Sequence, residues 1–224
     1  MSAIVRAALL AICLSLYAGA QNRSLALYAG EARGLDASAV RSAQRELQRL
    51  LVPTGMDMVW KDLEARKSGE QFDRVVVISF DGSCSDATAP ISLRKSQDSQ
   101  ISLADSSVSN GNVLPFFRVD CGDLVQMLAS SLRPMSAPQR NAAFGRALGR
   151  VMAHEIYHIV GETTAHQSRG VAKASFSVQD LIGDAFDFDI GSVAQMRLPL
   201  PLLARSVAVP SATSAADPEE LLER

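Results

Sequence analysis

Residues 154–166 read HEIYHIVGETTAH and contain all three histidines of the 224-residue chain. Whether this stretch is helical decides the fold, because a helix that buries histidines must be packed against something. On a helix, His154 and His158 stand one turn apart on the same face. Their Cβ atoms are then roughly 5–6 Å from each other, a span that one metal ion can bridge. Glu155 points to the neighbouring azimuth, close enough to act on a water at that ion without ligating it. Neutral imidazoles are zinc ligands, zinc lowers the pKa of water to about 7, and a carboxylate can take the proton as that water attacks a polarised carbonyl. A five-letter spacing alone arises by chance on many helices, but here no histidine lies outside these thirteen residues.

The surrounding sequence supports the helix. Pro134 and Pro138 punctuate the chain, Ser136 can cap a helix with Pro138 in its first turn, and Gln139 to Val160 contains no further proline. Phe144, Ala147, Val151, His154 and His158 follow the three-four spacing of one face. Gly145 and Gly149, one turn apart, would let the helix pack closely at a cost in helix propensity. Gly161 reads as its C-cap.

Upstream, Ser24 to Ala29 reads as a strand. Asp36 to Leu51 reads as an amphipathic helix capped by Asp36 and ended by Pro53 and Gly55. Met56 to Lys61 alternates like a half-buried strand, and the β-branched run Arg74 to Phe80 reads as a central one, closed by a turn at Asp81-Gly82-Ser83. Ser85 to Asn112 is rich in Ser, Asp and Asn, with Ile101 to Leu103 the best place for a short exposed strand. Val113 to Val119 reads as a strand and Gly122 to Leu132 as a short helix. Past the histidines come a polar loop, a short helix from Ser177 (SVQDLIGDAF), and a Pro/Leu-rich segment around Leu198 to Leu203. There is no internal repeat.

Residues 1–20 read as an export signal, with Arg6 in the positive region, an apolar run from Ala7 to Leu16 too short to span a bilayer, and Ala18-Gly19-Ala20 as a cleavage site. The expected location is secreted or periplasmic, with no stable membrane insertion after cleavage. Removing the signal also removes Cys13 and leaves Cys84 and Cys121, an even number in an oxidising compartment, so a disulfide between them is expected. Cleavage takes Arg6 from the 22 basic residues, leaving 21 against 24 acidic ones, a formal charge of −3. With no basic cluster and only 5% aromatics, a nucleic-acid surface has no support. The expected organisation is a signal at 1–20, one domain at 21–206 and a disordered tail at 207–224.

HEIYHIVG resembles the helix and glycine of the zincin metalloproteases. The placement of Gly161 is similar to the metzincin branch, which reads H-E-x-x-H-x-x-G-x-x-H. The resemblance covers about thirteen residues by motif and, more loosely, the order strand, helix, several strands, histidine helix. It implies His154 and His158 as zinc ligands, Glu155 as general base, Gly161 as the turn that frees a third ligand, and a peptide or protein substrate. The chain departs from the pattern at Thr164, where the third histidine belongs. His166 arrives two residues later, and five residues beyond Gly161 span at most about 16–18 Å, enough to return to the metal. His166 is therefore the first candidate for the third ligand. Glu162, four residues after His158, and Asp180 and Asp184, one turn apart on the next helix, stay open as alternatives. Metzincins also carry a methionine in a turn beneath the metal, for which Met196 is the only methionine after the motif. Tyr157 could stabilise an oxyanion or be a core residue with its hydroxyl at the rim.

The expected protein is thus α/β or α+β, a zincin-like mixed β-sheet backed by helices with a long active-site helix, acting as a secreted zinc-dependent (Zn2+) metallopeptidase. The alternative is a non-catalytic secreted metal-binding or interaction protein on the same scaffold.

Overall fold

The computed structural model describes residues 23–84 and 102–197, together with the backbone of 207–208. The expected signal at 1–20 and the Leu198 to Leu203 segment lie outside the described residues.

The chain runs β1 (Arg23–Ala29), α1 (Ala37–Leu51), a 3-10 turn (Val52–Thr54), β2 (Met56–Asp62), β3 (Gln71–Phe72), β4 (Arg74–Asp81), β5 (Ala104–Ser109), β6 (Asn112–Asp120), α2 (Cys121–Leu132), α3 (Ala137–Val160), α4 (Val178–Ile182), α5 (Ile190–Met196) and β7 (Val207–Ala208). Five strands form one mixed sheet in the order β2-β1-β4-β6-β5. β1, β2, β4 and β6 are parallel, and β5 runs antiparallel to β6 at the edge. β7 pairs with β3 in a separate two-stranded ribbon. The tail expected to be disordered from Val207 thus begins with a short strand, and 209–224 lie outside the described residues.

Alternation along the strands assigns the two faces of the sheet. Leu25 and Leu27 of β1, Val76 and Ile78 of β4, and Phe117 and Val119 of β6 are buried in one continuous core with the apolar sides of α1, α2 and α3. Ala26 and Tyr28 point the other way, under Leu63, Phe72, Val75 and Val77. The helices therefore back one face, as a mixed sheet with one helix layer requires.

Local signals explain the boundaries. Asp36 caps α1, its carboxylate accepting from the Ser38 N–H at 2.7 Å, and Asp120 caps α2 by accepting from the Asp123 N–H at 2.8 Å. At the start of α3 the Gln139 side-chain oxygen accepts from the Ser136 N–H at 3.0 Å. The two glycines of α3 do what their spacing suggests. A Cβ at Gly145 would lie 2.3 Å from the Ala39 carbonyl oxygen, and one at Gly149 would lie 2.8 Å from that of Ala43. Backbone-to-backbone approach of α3 on α1 has no room for a methyl group at either point.

Arg150, 0% exposed, is the polar tie in this layer. Its guanidinium donates to Glu46 of α1 at 2.7 Å and to the Asp180 carbonyl of α4 at 2.7 Å, joining three helices. Cys84, beyond β4, is bonded to Cys121 at the start of α2.

β5 departs from expectation. It spans Ala104–Ser109, beyond the Ile101 to Leu103 stretch read as a short strand, and Ile101 lies outside the described residues. Its sequence, ADSSVS, carries little apolar patterning because an edge strand needs only one hydrogen-bonded neighbour. The missed signal was Asn110-Gly111. Both residues have positive φ, 50° and 78°, and form a two-residue turn between Ser109 and Asn112. Farther along, the β5–β6 register shifts between Ser106 and Val108. β6 absorbs the extra residues around Pro115, which has no N–H to pair. The helix expected from Ser177 through Phe186 is shorter, ending at Ile182 before Gly183, and α5 was not anticipated.

Candidate metal centre

The last turns of α3 carry His154, Glu155 and His158 beneath β5. The three histidines converge, with one ligand atom from each of His154, His158 and His166 lying within 4.8 Å of the others. The Nε2 atoms of His154 and His158 are 3.0 Å apart. Tetrahedral zinc with Zn–N bonds of roughly 2.0–2.1 Å would hold two such nitrogens about 3.3 Å apart, so the pair needs only a small adjustment. The His166 ring lies 5.2 Å from that of His154 and 4.8 Å from that of His158, centroid to centroid.

The second nitrogen of each helix histidine is already committed. His154 Nδ1 lies 2.8 Å from the Val171 carbonyl oxygen, and His158 Nδ1 lies 2.8 Å from that of Thr163. A carbonyl can only accept, so each Nδ1 carries the proton and each Nε2 presents its lone pair to the common point. Burial reinforces this by disfavouring the imidazolium. It holds His154 down at about 4 and also lowers His158. The three residues could hold a metal ion; His154 and His158 are buried and His166 is exposed.

Glu155 is 5% exposed and opens onto the same cleft. Desolvation raises its carboxyl from 4.5 to about 7, with a smaller contribution from Asp105, while the Ser106 hydroxyl, donating to Oε2 at 2.5 Å, opposes the rise. Ser106 belongs to β5, so it was missed with that strand.

The cleft has a volume of about 730 Å³. Ser102 to Ser106, where the chain enters β5, form one wall, with Val113, Met127, Val151 and Phe176 among the apolar residues around it.

The turn after α3 explains how His166 arrives. The Thr163 N–H donates to the His158 carbonyl at 3.0 Å and the Glu162 N–H to the Ile159 carbonyl at 3.3 Å, the paired bonds of a Schellman cap. Gly161 is the C-cap of α3, as expected, with a right-handed φ of −78°, and the left-handed residue is Glu162 after it, with φ 49°. Gly161 is required by space, since a Cβ there would lie 2.7 Å from the Tyr157 carbonyl oxygen.

The alternative third ligands are engaged elsewhere. Glu162 turns out to Arg74 at 3.1 Å, Asp180 binds Lys173 at 2.7 Å and caps α4 through Ser177, and Asp184 is fully exposed beside Arg146. Thr164 lines the cleft without joining the cluster. Met196 is buried at the end of helix α5, not in a turn, and does not line the cleft, which removes the expected methionine match. Tyr157 is 1% exposed with its hydroxyl bonded to the loop after α3. It is therefore a core residue and not an oxyanion donor.

Comparison with protein-family models, curated proteins and solved structures returns no match to this chain. What it does must be read from its own residues.

Proposed function

We propose that the chain is a secreted zinc-dependent metallopeptidase on a zincin-like scaffold. The observation that carries the reading is the convergence of three imidazoles, His154, His158 and His166, in a cleft shared with the buried carboxyl of Glu155. The mixed sheet backed by a long histidine helix supports the scaffold, and the Cys84–Cys121 disulfide supports export, because such bonds persist in oxidising compartments.

Zinc suits a donor set of neutral imidazole nitrogens in which three protein ligands leave one tetrahedral position open. Bound there, it would supply Lewis acidity for a substrate carbonyl, acidify the attacking water and favour the ionised form of Glu155 by its charge.

The chain's own groups account for the remaining steps. Among the described residues β5 is paired with β6 alone, and its residues Ala104, Asp105, Ser106 and Val108 line the cleft. An extended peptide can therefore add to its other edge by main-chain hydrogen bonds, which places a scissile amide over the histidines. Glu155 takes a proton from the water as its oxygen attacks the carbonyl carbon, then returns it to the amide nitrogen as the C–N bond breaks. The water's second proton also passes to the amine, so the products are a carboxylate and an ammonium group. Ser106 holds the Glu155 carboxyl toward the cleft by its hydrogen bond.

The test is hydrolysis of a quenched-fluorescent peptide library by the zinc-loaded protein and by Glu155→Ala. Turnover should fall roughly 10²–10⁴-fold in the variant while zinc content is unchanged. Equal turnover in both would remove Glu155 from its role. Zinc binding without turnover in the wild type would instead leave a non-catalytic metal-binding protein.

A further inference from the structure

Tyr157 of α3 holds the loop that carries His166 on both sides of that residue. Its hydroxyl donates to the Ala165 carbonyl at 3.2 Å and accepts from the Gln167 side-chain amide at 3.1 Å, so it is bonded to the residue on each side of His166. The Gln167 main-chain N–H in turn donates to the Ala172 carbonyl at 2.8 Å, next to Val171, whose carbonyl receives His154 Nδ1. On the near side, the Ala165 N–H donates to Thr163 Oγ1 at 3.1 Å, and the Thr163 carbonyl receives His158 Nδ1. The loop is thus pinned to both helix histidines and, between those pins, to one phenolic oxygen.

His166 itself sits on an exposed stretch of the loop and meets the other two imidazoles by ring contact. An exposed imidazole on a loop keeps its position only as well as its flanking backbone does, and ligand affinity depends on that pre-organisation. From this geometry we infer that Tyr157 is a positioning residue for the third metal ligand, its hydroxyl setting the path that brings a histidine displaced by two residues back to the site. The inference rests on the zinc-site reading above. It also gives the fourth residue of HEIYH a role in the site that needs no contact with substrate.

The test is a double-mutant cycle on zinc affinity, measured by competition with a chromophoric chelator, using wild type, Tyr157→Phe, His166→Ala and the double variant. Phenylalanine keeps the buried ring and removes only the hydroxyl. The zinc Kd of Tyr157→Phe should rise roughly 10–100-fold. In the His166→Ala background the same change should have almost no effect, because no ligand is left to position. The visible spectrum of the cobalt-substituted Tyr157→Phe protein should shift toward that of His166→Ala. An equal loss of affinity in both backgrounds would mean that Tyr157 acts on general stability, and no loss in the wild-type background would mean it does not act at all; either overturns the inference. A wild type that binds no zinc would overturn the underlying site reading and this inference with it, an outcome distinct from either of those.

Discussion

The Glu155→Gln substitution separates what the site costs the fold from what it does chemically. In the metal-free protein, burial lifts the Glu155 carboxyl from an ordinary 4.5 to about 7. Folding therefore favours the protonated form, and the protein is penalised wherever the unfolded chain would release that proton and the folded one resists. The penalty is absent below about pH 4, grows as pH rises through the unfolded value, and is complete above about 7. At about 1.4 kcal/mol per pH unit, the rise corresponds to roughly 3 kcal/mol at pH 8 and under about 1 kcal/mol at pH 5. Glutamine cannot ionise, and its carbonyl oxygen can still accept from Ser106. Urea unfolding in chelator at both pH values should find the variant more stable than wild type by roughly 3 kcal/mol at pH 8, with little difference at pH 5. A variant no more stable at pH 8, or a gap of equal size at both pH values, would refute the reasoning. Peptide hydrolysis should be lost in the same variant, so that stability and activity move in opposite directions.

Other perturbations probe the frame around the site. Gly145→Ala places a methyl 2.3 Å from the Ala39 carbonyl oxygen and should destabilise the fold by roughly 1–3 kcal/mol in urea, despite alanine's better helix propensity. Arg150→Ala removes one of the two arginines that pair Glu46, leaving Arg49, and strips the Asp180 carbonyl of its donor, for an expected loss of roughly 1.5–3 kcal/mol by the same assay. Reducing the Cys84–Cys121 bond, which closes a sequence separation of 37 residues, should cost roughly 4 kcal/mol, read as a lower urea midpoint in reductant.

Legibility in the sequence followed burial and periodicity. β1 and β4 were readable as apolar runs covered on both faces, and α1 because its apolar residues repeat at the helical period and face the core. The HEIYH unit was readable for a related reason, since i, i+4 spacing fixes geometry once the helix is granted. β5 was hidden because an edge strand of Ser, Asp and Val has no strong pattern, and its real signal, Asn110-Gly111, lies in the turn. Losing β5 also lost Ser106 and one wall of the cleft. The choice among His166, Glu162, Asp180 and Asp184 depended on side-chain pairings that helical spacing does not reveal, of Glu162 with Arg74, Asp180 with Lys173 and Asp184 with Arg146. Gly161 was legible as the C-cap of α3, whereas the left-handed position one residue later falls on Glu162, a residue type that gives no signal for it.

The central claim, a three-histidine zinc site with one open position, is tested most directly by zinc-edge X-ray absorption on the zinc-loaded protein. The prediction is one zinc per chain with three imidazole nitrogens at roughly 2.0–2.1 Å and one further light atom from solvent, and one imidazole fewer in His166→Ala. Two imidazoles in the wild type, or a closed shell of four protein ligands, would contradict it.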